Sequence, residues 1–131
     1  MLVQPAATAA TDGRRAGAAR TEDLRHALRE RLHELGAEYA EAVAEMTMAG
    51  VVDSGDDVAD LGTKAFNRDQ EFALALSIRT RMEQFERALE RLDEGRYGMC
   101  EGCGDEIPVA RLSAFPSATL CVGCKSATER R

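Results

Sequence analysis

Cys100-Glu101-Gly102-Cys103 and Cys121-Val122-Gly123-Cys124 hold every cysteine of the chain, as two Cys-x-x-Cys turns with seventeen residues between them. Each pair puts two thiolates on one tight turn, and two such turns facing each other close a tetrahedral site that suits a d10 ion such as zinc. Gly104 follows the first pair directly, where the backbone must curl so that its amides point at sulfur. Two disulfides would need an oxidising compartment, and nothing in the sequence looks exported. A redox Cys-x-x-Cys belongs in a βαβ setting, which this chain lacks. The spacing therefore predicts one structural Zn2+ held by Cys100, Cys103, Cys121 and Cys124.

Composition bounds what surrounds that site. The chain has 131 residues, with four Phe, two Tyr and no Trp, too little large aromatic volume for a broad core. An extended helical fold or a metal staple is the expected remedy. The formal net charge is −6, unevenly spread. Residues 1–20 carry three basic groups and one acidic, residues 21–95 nine and eighteen, and residues 96–131 five and four. Such a balance argues against a protein that grips duplex DNA by neutralising phosphates. No apolar run reaches membrane-spanning length and no signal-peptide core opens the chain, so a cytoplasmic location is expected.

Residues 1–20, rich in Ala, Thr, Gly and Arg, show no sustained apolar period and read as a disordered leader. A first helix is expected from Thr21, with Glu22 and Asp23 in a first turn that favours negative charge. Its apolar positions Leu28, Leu32, Leu35, Tyr39, Ala42 and Met46 alternate at fours and threes, the stripe needed to pack on one partner helix. His26 and His33 share a face, but with no third ligand they read as solvated flank. A second helix is expected from Thr63 to Glu94, with the stripe Leu74, Ile78, Met82, Phe85, Leu89 and Leu92 and with Phe72 and Ala75 beside it. Gly95 supplies the stop. The short connection makes the helices antiparallel. The fold class is thus mainly α: a two-helix coiled-coil hairpin over residues 21–95, then a small four-cysteine zinc finger and short tail over residues 96–131. Ile107, Pro108, Val109, Leu112, Phe115, Pro116 and Leu120 are expected to pad the finger.

The turn of the hairpin, residues 51–62, is acidic, with Asp53, Asp56, Asp57 and Asp60 and no basic residue to offset them. Asp60 could simply cap the second helix, and loops are often acidic. The spacing misses an EF-hand, because Lys64 stands where the closing carboxylate belongs. Like charges at an exposed turn repel, however, and an acidic tip on a narrow rod suits entry into a pore lined with basic groups or bound metal.

An acidic-tipped hairpin joined to a four-cysteine finger resembles the DksA/TraR family of bacterial transcription regulators. The residues that carry the likeness are Asp57-Val-Ala-Asp60-Leu-Gly62 and Gly98-Met-Cys100-Glu-Gly-Cys103-Gly104. With them go Glu106-Ile107, Arg111-Leu112, Pro116 and Leu120-Cys121-Val-Gly-Cys124-Lys125. The resemblance covers residues 21–127. It implies a protein that binds RNA polymerase rather than a DNA sequence, with its rod in the secondary channel and its finger at the rim. The tip, here Asp57, Asp60 and Gly62, would act near the catalytic magnesium and alter promoter-complex lifetime. Gly62 stands where the family's pattern has Ala, which loosens the tip. Two basic positions that the resemblance ties to the alarmone ppGpp are here Gln84 and Phe115, while Arg111 and Lys125 are kept, so weak or absent ppGpp coupling is expected. A zinc-thiolate redox switch and a nucleic-acid-binding finger are the competing classes. Against them stand the lack of a basic cluster to activate one cysteine and of an aromatic stacking platform. Enzymatic activity is not expected, since four thiolates leave the ion no open position. A monomer is expected, with no membrane partner.

Overall fold

The computed structural model describes residues 5–49, 55 and 57–130 of the chain. Four helices follow in order: α1 (Pro5–Ala49), α2 (Val58–Asp93), α3 (Val109–Ala114) and α4 (Val122–Glu129). Among the described residues there is no strand, only an isolated antiparallel bridge between Met99 and Glu106.

α1 and α2 form the antiparallel hairpin. Their register reads directly from facing residues: Arg25 bonds Asp93 at 3.1 Å, the Met82 side chain lies against Gly36, and the Arg79 guanidinium stacks over the Tyr39 ring at 5.9 Å. The seam contains Leu28, Leu35 and Ala42 from α1 and Ala75, Ile78 and Ala88 from α2, all buried. Tyr39, Met46, Met82 and Phe85 pack half-buried around its middle. The heptad stripe of α1 is therefore buried where the alternation of threes and fours puts it. In α2 the expectation shifts: Leu74 is 56% exposed and Ala75 takes its place in the seam, Phe72 is exposed, and Ala88 is buried beside Leu89. The step from Ile78 to Met82 is already a four, so the preceding step must be a three, and that selects Ala75.

Both helices start earlier than periodicity indicates. Residues 5–20, expected as a structureless leader, are helical backbone continuous with α1. Alanine accounts for the difference. Ala6, Ala7, Ala9, Ala10, Ala16, Ala18 and Ala19 have the highest helix propensity without making an apolar stripe. Given the register, this part of α1 runs on past the C-terminal end of α2. α2 begins at Val58, not Thr63, with Asp57 as its N-cap. The Asp57 carboxylate accepts the Asp60 N–H at 2.8 Å, so Asp57 is the capping residue and Asp60 lies in the first turn. Residues 50–54 and 56, which include Asp53 and Asp56, fall outside the described part of the expected tip.

α2 stops by a Schellman arrangement. The Arg96 N–H returns to the Arg91 carbonyl at 2.8 Å and the Gly95 N–H to that of Leu92 at 3.2 Å. Gly95 carries the positive φ of +76° that this closure requires. The chain then enters the finger. Ile107 is its buried apolar residue, with Leu112 and Leu120 half-buried. Val109 and Phe115, expected as padding, are instead 78% and 60% exposed, and Pro108 and Pro116 are exposed too. A core this small leaves the module dependent on something other than apolar burial.

The seam assignment gives a direct contrast. Leu35→Ala should cost about 2–5 kcal/mol, as buried leucine truncations do. Leu74→Ala should stay within about 0.5 kcal/mol of wild type, as exposed substitutions do. Urea unfolding followed by helicity measures both.

Candidate metal centre and hairpin tip

The first cysteine pair sits where the Met99–Glu106 bridge brings the chain back on itself. The Cys100 N–H bonds the Asp105 carbonyl at 2.8 Å and the Gly104 N–H bonds the Cys100 carbonyl at 3.0 Å, which closes the turn. The second pair opens α4, with Cys121 as N-cap and its sulfur accepting the Cys124 N–H at 3.4 Å. The Glu101 N–H ties to the Thr119 carbonyl at 2.8 Å, holding the two turns face to face. Gly102 is needed at this approach, since a Cβ there would lie 2.8 Å from the Cys124 sulfur.

The four sulfurs lie within 4.8 Å of one another, and those of Cys103 and Cys121 are 3.9 Å apart. Thiolates around one tetrahedral zinc at about 2.3 Å would be about 3.8 Å apart. The cysteines are not paired as disulfides. Four soft sulfur donors converging on one point fit zinc and leave it no exchangeable position. His26 is not part of the set; it pairs with Glu30 at 3.1 Å on the exposed face of α1.

The backbone prepares one sulfur in particular. Amides of Cys121 and Gly102 each point at the Cys100 sulfur from 3.3 Å. The Cys121 amide foremost, with those of Cys103 and Gly102 outweighing burial, brings the Cys100 thiol down to about 6. Its neighbour moves the other way: hydrogen bonds to Cys100 and then Cys121 push the Cys124 thiol up to about 12. The same cluster thus lowers the Cys100 thiol and raises those of Cys103 and Cys124, and a divalent cation at their centre would offset the repulsion between neighbouring thiolates.

Periodicity and motif spacing missed a further group. Arg87 and Arg91, one turn apart on α2, both reach Glu101 inside the first cysteine turn. The Arg87 Nε donates to the Glu101 carboxylate at 2.6 Å, and an Arg91 Nη lies 3.6 Å from it. Burial opposes the Glu101 charge, but hydrogen bonds from Arg87 and Thr119 and the two positive charges hold its carboxyl below the usual range. The available signal was an acidic residue placed between two metal-ligand cysteines.

The tip residues lie at the opposite end of α2. Residues 57–63 are all exposed, with Val58 86% and Leu61 41% exposed between the two aspartates. Nothing lies within 4 Å of a Cβ built on Gly62. Gln84, Arg111, Phe115 and Lys125 come together around an open cleft of about 540 Å³ between α2 and the finger. There the Arg111 Nε donates to the Leu120 carbonyl at 3.0 Å and its guanidinium stacks on Phe115 at 5.8 Å. Lys125 pairs with Glu129 at 3.7 Å.

Ligation should supply on the order of 10 kcal/mol to the folding of the finger. Cys100→Ser should therefore abolish zinc retention by elemental analysis. Hydrogen exchange should show the amides of Cys100, Glu101 and Ile107 losing protection, while the α1–α2 seam keeps most of its own.

Comparison with known proteins agrees with this geometry. A family model described as the prokaryotic dksA/traR C4-type zinc finger matches residues 95–130, so the module carries one structural zinc. RNA polymerase-binding transcription factor DksA of Haemophilus influenzae is 37% identical over 92 residues, covering 67% of this chain and 63% of that protein. General stress protein 16O of Bacillus subtilis is 33% identical over 111 residues, covering 83% of this chain and 68% of that protein. The chain thus spans a little under two thirds of the Haemophilus protein's length. The solved structure of transcription factor DksA2 from Pseudomonas aeruginosa superposes with a TM-score of 0.69 at 30% identity, over 86% of this chain and 85% of that one. On sequence, on fold and on the four-cysteine site alike, the chain belongs to the DksA/TraR family.

Proposed function

We propose that this chain is a cytoplasmic transcription regulator that binds bacterial RNA polymerase as a monomer, inserts the hairpin into the secondary channel and alters promoter-complex lifetime. The observation that carries this reading is the placement of Asp57 and Asp60 on an exposed helix start at the far end of α2 from the four-thiol module. A 36-residue α2 is about 54 Å long at the usual helical rise, enough to carry the aspartates deep into a pore while the finger stays outside. The name of the Haemophilus relative, an RNA polymerase-binding transcription factor, supports the choice of partner.

In this reading Cys100, Cys103, Cys121 and Cys124 hold the ion, and Asp57, Asp60 and Gly62 form the acting tip. The protein performs no reaction of its own. Its charge at the tip shifts the populations of polymerase conformers by differential contact with them. Coupling to ppGpp is weak or absent. Gln84 and Phe115 bring no positive charge to pair with phosphate, Lys125 already pairs with Glu129, and the Arg111 Nε is taken up by a carbonyl.

The capping role of Asp57 makes the tip unusually testable. Asn caps as well as Asp, so Asp57→Asn with Asp60→Asn removes charge while keeping the helix start. That variant should co-purify with RNA polymerase as wild type does but lose its effect on promoter-complex lifetime; full activity in it would refute the tip assignment. Gly62→Ala, with open space for its methyl, should stabilise the start of α2 by about 0.5–1 kcal/mol. In the same lifetime assay it should raise potency.

A further inference from the structure

The junction between rod and finger is made of parts that do not hold an angle by themselves. α2 ends in the Schellman turn at Gly95, and the buried apolar contribution of the finger is Ile107 with the Cys100 side chain. Charge spans the junction, beside a half-buried Tyr97 that lines a cleft with Leu24 and Leu92. Among the described residues Arg91 is the buried charged side chain. Its Nη2 donates to the Met99 carbonyl at 2.8 Å and to the Arg96 carbonyl at 3.3 Å. Its Nη1 faces the Glu101 carboxylate at 3.6 Å, and its Nε is buried with no acceptor. Arg87, from the next turn of α2, grips the same carboxylate oxygen.

Met99 and Glu101 are the residues on either side of Cys100. One arginine of the rod therefore holds the backbone before that cysteine and the side chain after it. The Cys100 sulfur in turn accepts the Cys121 N–H at 3.3 Å, which links the first cysteine turn to the second. The rod and the metal site thus act on one short peptide from opposite sides.

We propose that Arg91 and Arg87, through Glu101, form a latch that couples zinc occupancy to the direction in which the rod points. With zinc bound, the turn at Cys100 is rigid, Glu101 is fixed and α2 is clamped at a single angle to the finger. Without zinc the turn relaxes, the latch has no fixed anchor and the rod swings about Gly95. Linkage makes the effect reciprocal: loosening the latch on the rod side weakens zinc retention, although neither arginine is a ligand. Both arginines are positioning residues, and the inference holds whatever partner the tip meets.

The test uses the full zinc-loaded chain and two readouts, zinc transfer to a chromogenic chelator and small-angle X-ray scattering. Loss of a charge-assisted bond at a buried site should speed zinc release about tenfold in Arg91→Met and comparably in Glu101→Gln. The double variant should be no faster than the faster single one, because both break one latch. Arg87→Met, at the exposed arm, should show a smaller increase. Scattering from zinc-loaded Arg91→Met should resemble that of chelated wild type, with a wider spread of rod orientations. Wild-type zinc release in Arg91→Met, or effects that multiply in the double variant, would overturn the latch. Arg91→Lys keeps the charge but cannot span the Met99 carbonyl and Glu101 together. It should also release zinc faster, and a wild-type rate there overturns the proposal even if Arg91→Met does not fold.

Discussion

The whole arrangement depends on four sulfurs being brought to one point by a backbone that has almost no apolar core behind it. A finger of some thirty-five residues cannot bury enough surface to offset the entropy of ordering itself, and Ile107 with two half-buried leucines does not change that. Amide groups do the local work, turning toward the Cys100 sulfur from Gly102 and Cys121. They lower the Cys100 thiol. The metal completes the set, because only a divalent charge makes four neighbouring thiolates tolerable in one place. The order of the finger, and with it the foot of the rod, follows from that electrostatic requirement.

The rod is stabilised by a different principle. Its seam is apolar and narrow, with leucine and alanine from α1 set against alanine and isoleucine from α2. The flanks are charged, and ion pairs such as Arg25 with Asp93 fix the register more than they add stability. A helical hairpin of this kind is stiff along its length and weak at its ends. It holds Asp57 and Asp60 at the end of α2 away from the four-thiol module. Asp57 joins the two ends of the argument: the carboxylate that starts α2 by capping it is part of the negative charge the rod presents.

Where those two structures meet, neither the seam nor the thiol set suffices. The meeting point is occupied by Arg87, Arg91 and Glu101, with the Arg96 and Met99 carbonyls accepting from the Arg91 Nη2 while its Nε is buried without an acceptor. A buried arginine is costly unless its charge and donors are met. Its presence here, between a metal turn and a helix, is the kind of local cost that fixes a geometry instead of adding net stability. Polar contacts have defined directions, and an angle between two small bodies can be set by directions where apolar contact would let them slide.

The sequence by itself determined the metal site, the antiparallel hairpin and the seam of α1, because each rests on spacing: three residues inside a cysteine turn, alternating threes and fours along a helix. It also held the right seam position in α2 and the right cap at Asp57, though Leu74 and Asp60 were the more conspicuous residues. Helix over residues 5–20 was written in alanine propensity, which leaves no stripe to follow. Only the tertiary structure decided which apolar residues of the finger are exposed, that Arg111 stacks on Phe115, and that Arg87 and Arg91 close on Glu101. Arg111 and Phe115 are neighbours in the chain, and Arg87 and Arg91 lie just before Glu101, but which of these side chains meet depends on how the chain turns between them, and no metal-ligand spacing encodes that. The ion pairs exist because the turn at Gly95 folds the first cysteine turn back against the face of α2 that carries Arg87 and Arg91.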